Sequence, residues 1–175
     1  MAEVTFNTKE NQTIARGLMI LYLNVGTKEA PKWAPVGKRV ADSSLEFDWQ
    51  RETTTDILDN AYSSMKKPIM TQSFDPWNLA NGDEAQKLIW DKGIKDQDAQ
   101  ALCNMDMLLV HLYAGESAAK AFAERYGSCA VEPTSLGGEG GGNIGMSTTV
   151  TFGGTRTVGT AATAEGVVTF TATAA

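Results

Sequence analysis

The chain has 175 residues, a formal charge of −6 and an apolar fraction of 42%, which is the composition of an ordinary globular protein. A chain of this length is expected to form one domain whose core is stable without disulfides or metals. The negative net charge argues against tight binding to nucleic-acid phosphates, which requires a basic surface.

The chain starts with a polar, acidic segment (MAEVTFNTKEN) that lacks the pattern of a secretory signal. We expect residues 1–13 to form an arm and residues 14–175 to form a single domain. The early apolar run at 17–25 is too short to span a bilayer, so no membrane insertion is expected and synthesis in the cytoplasm is the default. Cys103 and Cys129 form no motif with each other and are predicted to be reduced structural thiols.

Alternation and β-branched residues dominate the chain, and they predict a β protein. The Gly-rich stretch 133–145 is predicted to be a loop, and a short helical turn is expected within 96–104. Strands are predicted at 14–25, 33–40, 44–50, 66–74, 105–113, 122–131, 146–152, 155–160 and 166–173.

Residues 44–50 show the clearest alternation in the chain. Leu45, Phe47 and Trp49 fall on one face, while the other face carries Glu46 and Asp48. The following segment, 51–64, is polar and has neither Gly nor Pro, so it is expected to be an extended hairpin or a long projecting loop.

One convincing helix is predicted, after residue 81. Asn81 and Glu84 have the spacing of a capping box at its start, and Gly93 is expected to end it. Three apolar residues then share one helical face: Ala85, Leu88 and Ile89. With eight or nine strands around it, this helix predicts a mainly β fold of two packed sheets, a β-sandwich or barrel-like architecture with one flanking helix.

No motif in the sequence indicates catalysis, a cofactor or a metal, and we predict that the chain is not an enzyme. His111 is the only histidine and lies in an apolar strand, which favours a structural or interface role. Gly140, Gly142 and Gly145 match the dinucleotide-binding spacing, but a strand pattern follows them where a helix is required. The acid pairs, including Asp56 with Asp59, are best explained as solvated surface.

Three segments resemble the major tail tube proteins of long-tailed, siphovirus-type bacteriophages. They are 71–77 (TQSFDPW), 122–126 (FAERY) and 133–145 (PTSLGGEGGGNIG). The resemblance covers most of the chain, together with the Thr- and Gly-rich C-terminal strands.

This resemblance implies a virion structural protein that forms hexameric rings, with one sheet of each subunit joining an inner barrel. The rings stack into a tail tube that houses the tape measure protein and conducts DNA without binding it specifically. Tail terminator and tail tip or baseplate proteins are further implied partners, and assembly is expected in the host bacterial cytoplasm.

By position, the loop that reaches the next ring corresponds to residues 49–65. Its candidate contact residues are Trp49, Arg51, Glu52, Asp56 and Asp59. Glu46 and Asp48 are candidate acids of the lumen wall, because like charge keeps DNA from adhering to it.

Two alternatives to the siphovirus tube remain open. The first is the inner tube protein of a contractile tail or injection system, which shares the fold. The second is a monomeric β-sandwich module that binds carbohydrate, with Trp33, Trp49 and Trp77 as stacking platforms.

Overall fold

The structure is a computed structural model that describes residues 4–173. Within that range the chain is mainly β, with eleven strands and two short α-helices. The strands are β1 (Met19–Asn24), β2 (Trp33–Pro35), β3 (Leu45–Asp48), β4 (Glu52–Thr55), β5 (Ala61–Ser64), β6 (Ile69–Phe74), β7 (Met105–Ser117), β8 (Lys120–Gly137), β9 (Gly145–Thr151), β10 (Arg156–Ala164) and β11 (Val167–Ala172). The helices are α1 (Glu84–Trp90) and α2 (Ala99–Leu102), joined by a π-helical turn, Asp91–Lys95.

Nine of the strands form one antiparallel hydrogen-bonded system that divides into two sheets at β8. The first part of β8 lies between β7 and β10 in a six-stranded sheet of order β2-β1-β7-β8-β10-β11. Its second part, from Ala130, pairs with β9 in a four-stranded sheet of order β8-β9-β6-β3. β4 and β5 form a separate two-stranded hairpin. Because one strand serves both sheets, their relative position is fixed by continuous backbone.

The main core lies between the two sheets and under α1. The largest side chain in it, Trp77, is fully buried and lies against Phe74 with a ring-centroid distance of 5.8 Å. The six-stranded sheet also curls until β11 contacts β2, and this curl encloses a second apolar cluster that includes Tyr22, Leu108 and Val110. Apolar residues on both faces of β7 explain its nearly continuous hydrophobic run.

Helix α1 occurs where the sequence predicts a helix, but its cap differs from the prediction. Asp83, not Asn81, is the N-cap, and its Oδ1 accepts a hydrogen bond of 3.1 Å from the Gln86 N–H. The predicted apolar face is confirmed, with Ala85 and Ile89 fully buried.

The prediction that Gly93 ends the helix is wrong. The chain continues through Gly93 in the π-helical turn, and at this point the backbone lies against Pro133 of β8. A Cβ at this position would come within 2.5 Å of the Pro133 ring. This glycine is therefore required by packing and not by helix termination.

Several predicted strand boundaries are wrong by a few residues. β1 begins only at Met19, because Arg16–Leu18 form a 3₁₀ turn, and β2 ends at Pro35 before a turn at Gly37. The predicted Gly-rich loop is shorter than expected, since β8 continues to Gly137 and β9 begins at Gly145.

The N-terminal arm, of which residues 4–13 are described, attaches to its own chain. The Asn7 N–H donates to the Tyr113 carbonyl and the Gly115 N–H donates to the Thr5 carbonyl, each at 2.9 Å. The arm thus pairs alongside the last part of β7, with Phe6 opposite Ala114. No helix within residues 4–173 is long and apolar enough to cross a membrane.

Candidate assembly surfaces

The β4–β5 hairpin projects from the rest of the chain, and every residue of its two strands is exposed. At its tip, Ile57 is 100% exposed and Leu58 is 75% exposed. An exposed pair of aliphatic side chains is unusual on a surface that faces only water, and indicates a contact site.

The tip is nevertheless a rigid structure. Asp56 accepts hydrogen bonds from the backbone N–H groups of Leu58 and Asn60 at 2.8 and 2.9 Å, and from the Tyr62 hydroxyl at 3.2 Å. These bonds, first among them the one from the Asn60 backbone, lower the pKa of the Asp56 carboxyl. The two aliphatic side chains are therefore presented in a fixed geometry, which lowers the entropic cost of docking.

The five residues predicted for the loop occupy different parts of it. Asp56 and Asp59 lie in the tip, and Glu52 forms an ion pair of 3.0 Å with Lys66 across the stem. Arg51 is an exposed residue directly before β4. Trp49 lies outside the hairpin, where it stacks on Phe47 at a centroid distance of 6.4 Å.

The outer face of the four-stranded sheet is mainly polar and carries several acids, although Ile69 and Ala130 also lie on it. Glu46 lies opposite Thr71, and Thr71 lies opposite Thr151, so the Glu46 side of β3 is continuous with a Thr-rich surface. The predicted acids Glu46 and Asp48 share this face. None of the described strand residues on it is Lys or Arg.

Sequence reasoning missed two acids that belong to the same surface. Glu132 of β8 lies opposite Thr149 in the register of β9, and Asp75 follows β6 and accepts a hydrogen bond from Ser147. Their positions in the chain are far from β3, so only strand pairing brings them to the face of Glu46 and Asp48.

The edges of the two sheets differ. In the six-stranded sheet the terminal strands β2 and β11 contact each other through the curl. In the four-stranded sheet, β3 pairs only with β6, and the second part of β8 pairs only with β9. Within residues 4–173, both edges of this sheet therefore have backbone groups free to pair with another strand.

A groove of about 760 Å³ opens between the sheets at the base of the hairpin. Its walls are mainly apolar and rich in aromatic side chains, of which Phe47 and Trp49 are half exposed. The principal lining residues are Phe47, Trp49, Ile69, Tyr113, Phe122 and Tyr126.

A buried ionic network forms the floor of this groove. Glu124, 7% exposed, accepts hydrogen bonds from Arg156 and from the Tyr126 hydroxyl. His111 lies 3.9 Å from the Glu124 carboxylate and hydrogen-bonds Tyr113 through Nδ1 at 2.9 Å. Burial acts to raise the pKa of Glu124, but His111 and Arg156 together outweigh it and lower that pKa. The predicted structural or interface histidine thus lies in the groove.

A second ion pair joins β7 to β8 on the concave face of the six-stranded sheet. Arg125 donates to both carboxylate oxygens of Asp106, at 3.0 and 2.7 Å, and Asn24 donates to the same carboxylate at 2.9 Å. The Arg125 guanidinium also lies over the Trp33 ring at 5.5 Å. This arrangement ties β1, β7 and β8 together inside the chain, because Arg125 and Asn24 both donate to the buried Asp106 carboxylate.

These contacts contradict the predicted carbohydrate platform. Trp33 is 8% exposed beneath Arg125, and Trp77 is fully buried in the core, so neither ring can stack on a ligand. Trp49 is half exposed and belongs to the groove. No group of three or more His, Cys, Asp or Glu that could bind a metal occurs in residues 4–173.

Known proteins match this chain in structure and not in sequence. No family model matches it, and no curated protein matches it either. A chain of the sheath-tube complex of an extracellular contractile injection system (PVC), in the extended state, aligns with a TM-score of 0.50 at 8% identity. The alignment covers 94% of this chain and 95% of the other. The two chains share a fold.

A second structure is the anti-feeding prophage cap, described as a tube terminating cap. It aligns with a TM-score of 0.47 at 13% identity, covering 88% of this chain and 95% of that one.

Proposed function

We propose that this chain is a structural subunit that polymerises with copies of itself into the tube of a phage tail or a related injection machine. The observation that carries the proposal is the four-stranded sheet whose two edges are both unpaired within the described chain. Monomeric proteins usually protect such edges with bulges, charges or covering loops, because they template association. Strand pairing between β3 of one copy and β8 of the next extends the sheet by four strands per subunit.

Repetition of that contact by rotation closes a ring, and the resemblance of the sequence to tail tube proteins supports six subunits in it. The outer face of the sheet then lines a channel. Glu46 and Asp48, together with Asp75 and Glu132, give the channel wall negative charge, which repels DNA and permits its passage without specific binding. The tape measure protein would occupy the same channel before DNA does.

The β4–β5 hairpin serves as the loop that stacks one ring on another. Its length, its full exposure and the rigid aliphatic tip at Ile57 and Leu58 support this role. Residues 49–65 are therefore the proposed axial contact, and the tail terminator and tail tip or baseplate proteins would meet the same surfaces at the two tube ends.

The fold supports the contractile type of machine better than the siphovirus tube that the sequence resembles, since the structural likeness is to a chain of a contractile sheath-tube complex. The siphovirus tube is the second candidate, supported by the segments at 71–77 and 122–126. Electron microscopy of the intact particle separates the two, because only the contractile machine carries a sheath around the tube.

Sedimentation of the purified chain over a range of concentrations tests the proposal. Rings or tubes are expected, and negative-stain images should show particles with a central channel. A species that stays near 18.7 kDa at every concentration would refute self-assembly and favour a monomeric binding module.

The acidic lumen has a separate test. Glu46→Lys with Asp48→Lys should make the channel wall less negative in a reconstruction of the tube. A reconstruction in which both lysines point away from the channel would show that another surface lines it.

A further inference from the structure

The two ends of the four-stranded sheet are different, and this difference suggests how stacked copies meet. This inference rests on the proposed self-assembly. The hairpin and the groove lie at the end where Asp48 pairs with Ile69. The β8–β9 loop, residues 138–144, lies at the other end, where Gly137 pairs with Gly145. β6 and the three further residues of β9 that lead to Gly145 span the distance between them, about 26 Å at ~3.3 Å per residue.

The groove end is apolar with basic groups. Lys67 and Arg156 both line the groove, whose other walls are largely apolar and rich in aromatic side chains. The carboxylate of Glu124 is already engaged by Arg156. Lys67 makes no ion pair within residues 4–173 and is exposed, so its charge is available to an incoming partner.

The loop end carries the complementary features. Ile144 is 58% exposed and Leu136 is 44% exposed, although both belong to well-anchored backbone. The Leu79 N–H donates to the Ile144 carbonyl at 2.8 Å, which fixes the residue while its side chain faces solvent. Glu139, at the tip of the loop, is exposed and forms no ion pair within the described chain.

We propose that the β8–β9 loop of one copy docks into the groove of the copy stacked against it. Ile144 is the apolar anchor among the aromatic side chains, and Glu139 pairs with Lys67 at the rim. Head-to-tail stacking places opposite ends of neighbouring copies against each other, so the groove of one faces the loop of the next. The opposite charges of Lys67 and Glu139 favour this orientation over the head-to-head one.

The described part of the N-terminal arm reaches the rim of the groove. Phe6 packs edge-on against Tyr113 with a centroid distance of 5.5 Å, yet it remains 66% exposed at the rim. The described part of the arm, through Val4 and Phe6, therefore forms part of the groove wall.

A charge exchange tests the proposal. Glu139→Lys and Lys67→Glu should each raise the concentration at which the chain polymerises by roughly tenfold, as expected for opposed rim charges, and the double variant should restore it. The control is a second double variant, Lys67→Glu with Glu29→Lys. It has the same net charge as the first double variant, but the acid that it replaces is an exposed residue of the β1–β2 loop. Each variant should melt as the wild type does, since both side chains are exposed and unpaired.

Rescue by the control double variant would show that net charge alone matters and would overturn the proposal. Single variants that polymerise like the wild type at low salt would also overturn it.

Zero-length carbodiimide crosslinking gives a second readout. An amide between the Lys67 amine and the Glu139 carboxyl should appear by mass spectrometry in the polymer fraction and not in the monomer, because the two residues lie at opposite ends of one chain. If the wild type polymerises, but this crosslink is absent and the double variant does not restore polymerisation, only the docking proposal is refuted. If the wild type never polymerises, the proposed function falls with it.

Discussion

Replacing the two aliphatic residues at the hairpin tip should abolish assembly at ordinary concentrations without affecting the fold. Ile57 is 100% exposed and Leu58 is 75% exposed, so Ile57→Ser with Leu58→Ser removes little contact inside the subunit. The turn itself is held by the Asp56 carboxylate, which both substitutions leave in place.

The expected magnitude follows from burial of these side chains in a neighbouring copy. Complete burial of an aliphatic side chain contributes about 1.5 to 3 kcal/mol, so the pair accounts for about 3 to 6 kcal/mol per contact. Since each 1.4 kcal/mol is a factor of about ten, the critical concentration should rise by roughly 100-fold or more. Sedimentation measures that concentration, and thermal unfolding of the monomer should be unchanged.

The exchanged pair Ile57→Leu with Leu58→Ile is the matched control, because it keeps the apolar surface of the tip. It should polymerise close to the wild-type concentration. If the double Ser variant also polymerised at the wild-type concentration, the tip would not be buried in the assembly and the axial role of the hairpin would be wrong.

Three further predictions concern the fold. Trp77→Ala should lower the free energy of unfolding by about 3 to 5 kcal/mol in urea titrations, because the ring is fully buried, whereas Trp49→Ala should cost far less. The folded state lowers the pKa of Glu124 below its ordinary value of 4.5, so the free energy of unfolding should fall as the pH drops below 4.5. Glu124→Gln should remove this part of the pH dependence. Asp106→Ala should cost about 3 to 5 kcal/mol by leaving Arg125 without its carboxylate, and the effect should shrink when Arg125 is also replaced by Ala.

Several features of the fold were predictable because they depend on local pattern. The alternation in 44–50 defines β3 with its acidic and apolar sides, and the apolar run from Met105 correctly predicts β7. The hairpin at 51–64 is one of the two structures that its polar, β-branched sequence predicts, the other being a long projecting loop. The predicted N-cap of α1 was wrong because Asn81 and Asp83 both have side chains that can accept a hydrogen bond from the first turn of a helix, and the local pattern does not distinguish them.

The sequence by itself determined that this is a mainly β protein with one flanking helical region. The reason is that apolar and polar residues alternate along a strand that is buried on one side. It could not determine which strands are neighbours, since pairing joins residues that are distant in the chain. Only the tertiary structure brought Asp75 and Glu132 to the face of Glu46, placed Lys67 and Glu139 at opposite ends, and buried Trp33 and Trp77. It also decided that β8 serves two sheets, and that β3 and the second part of β8 are the two edges of the four-stranded sheet, each without a further strand partner within residues 4–173.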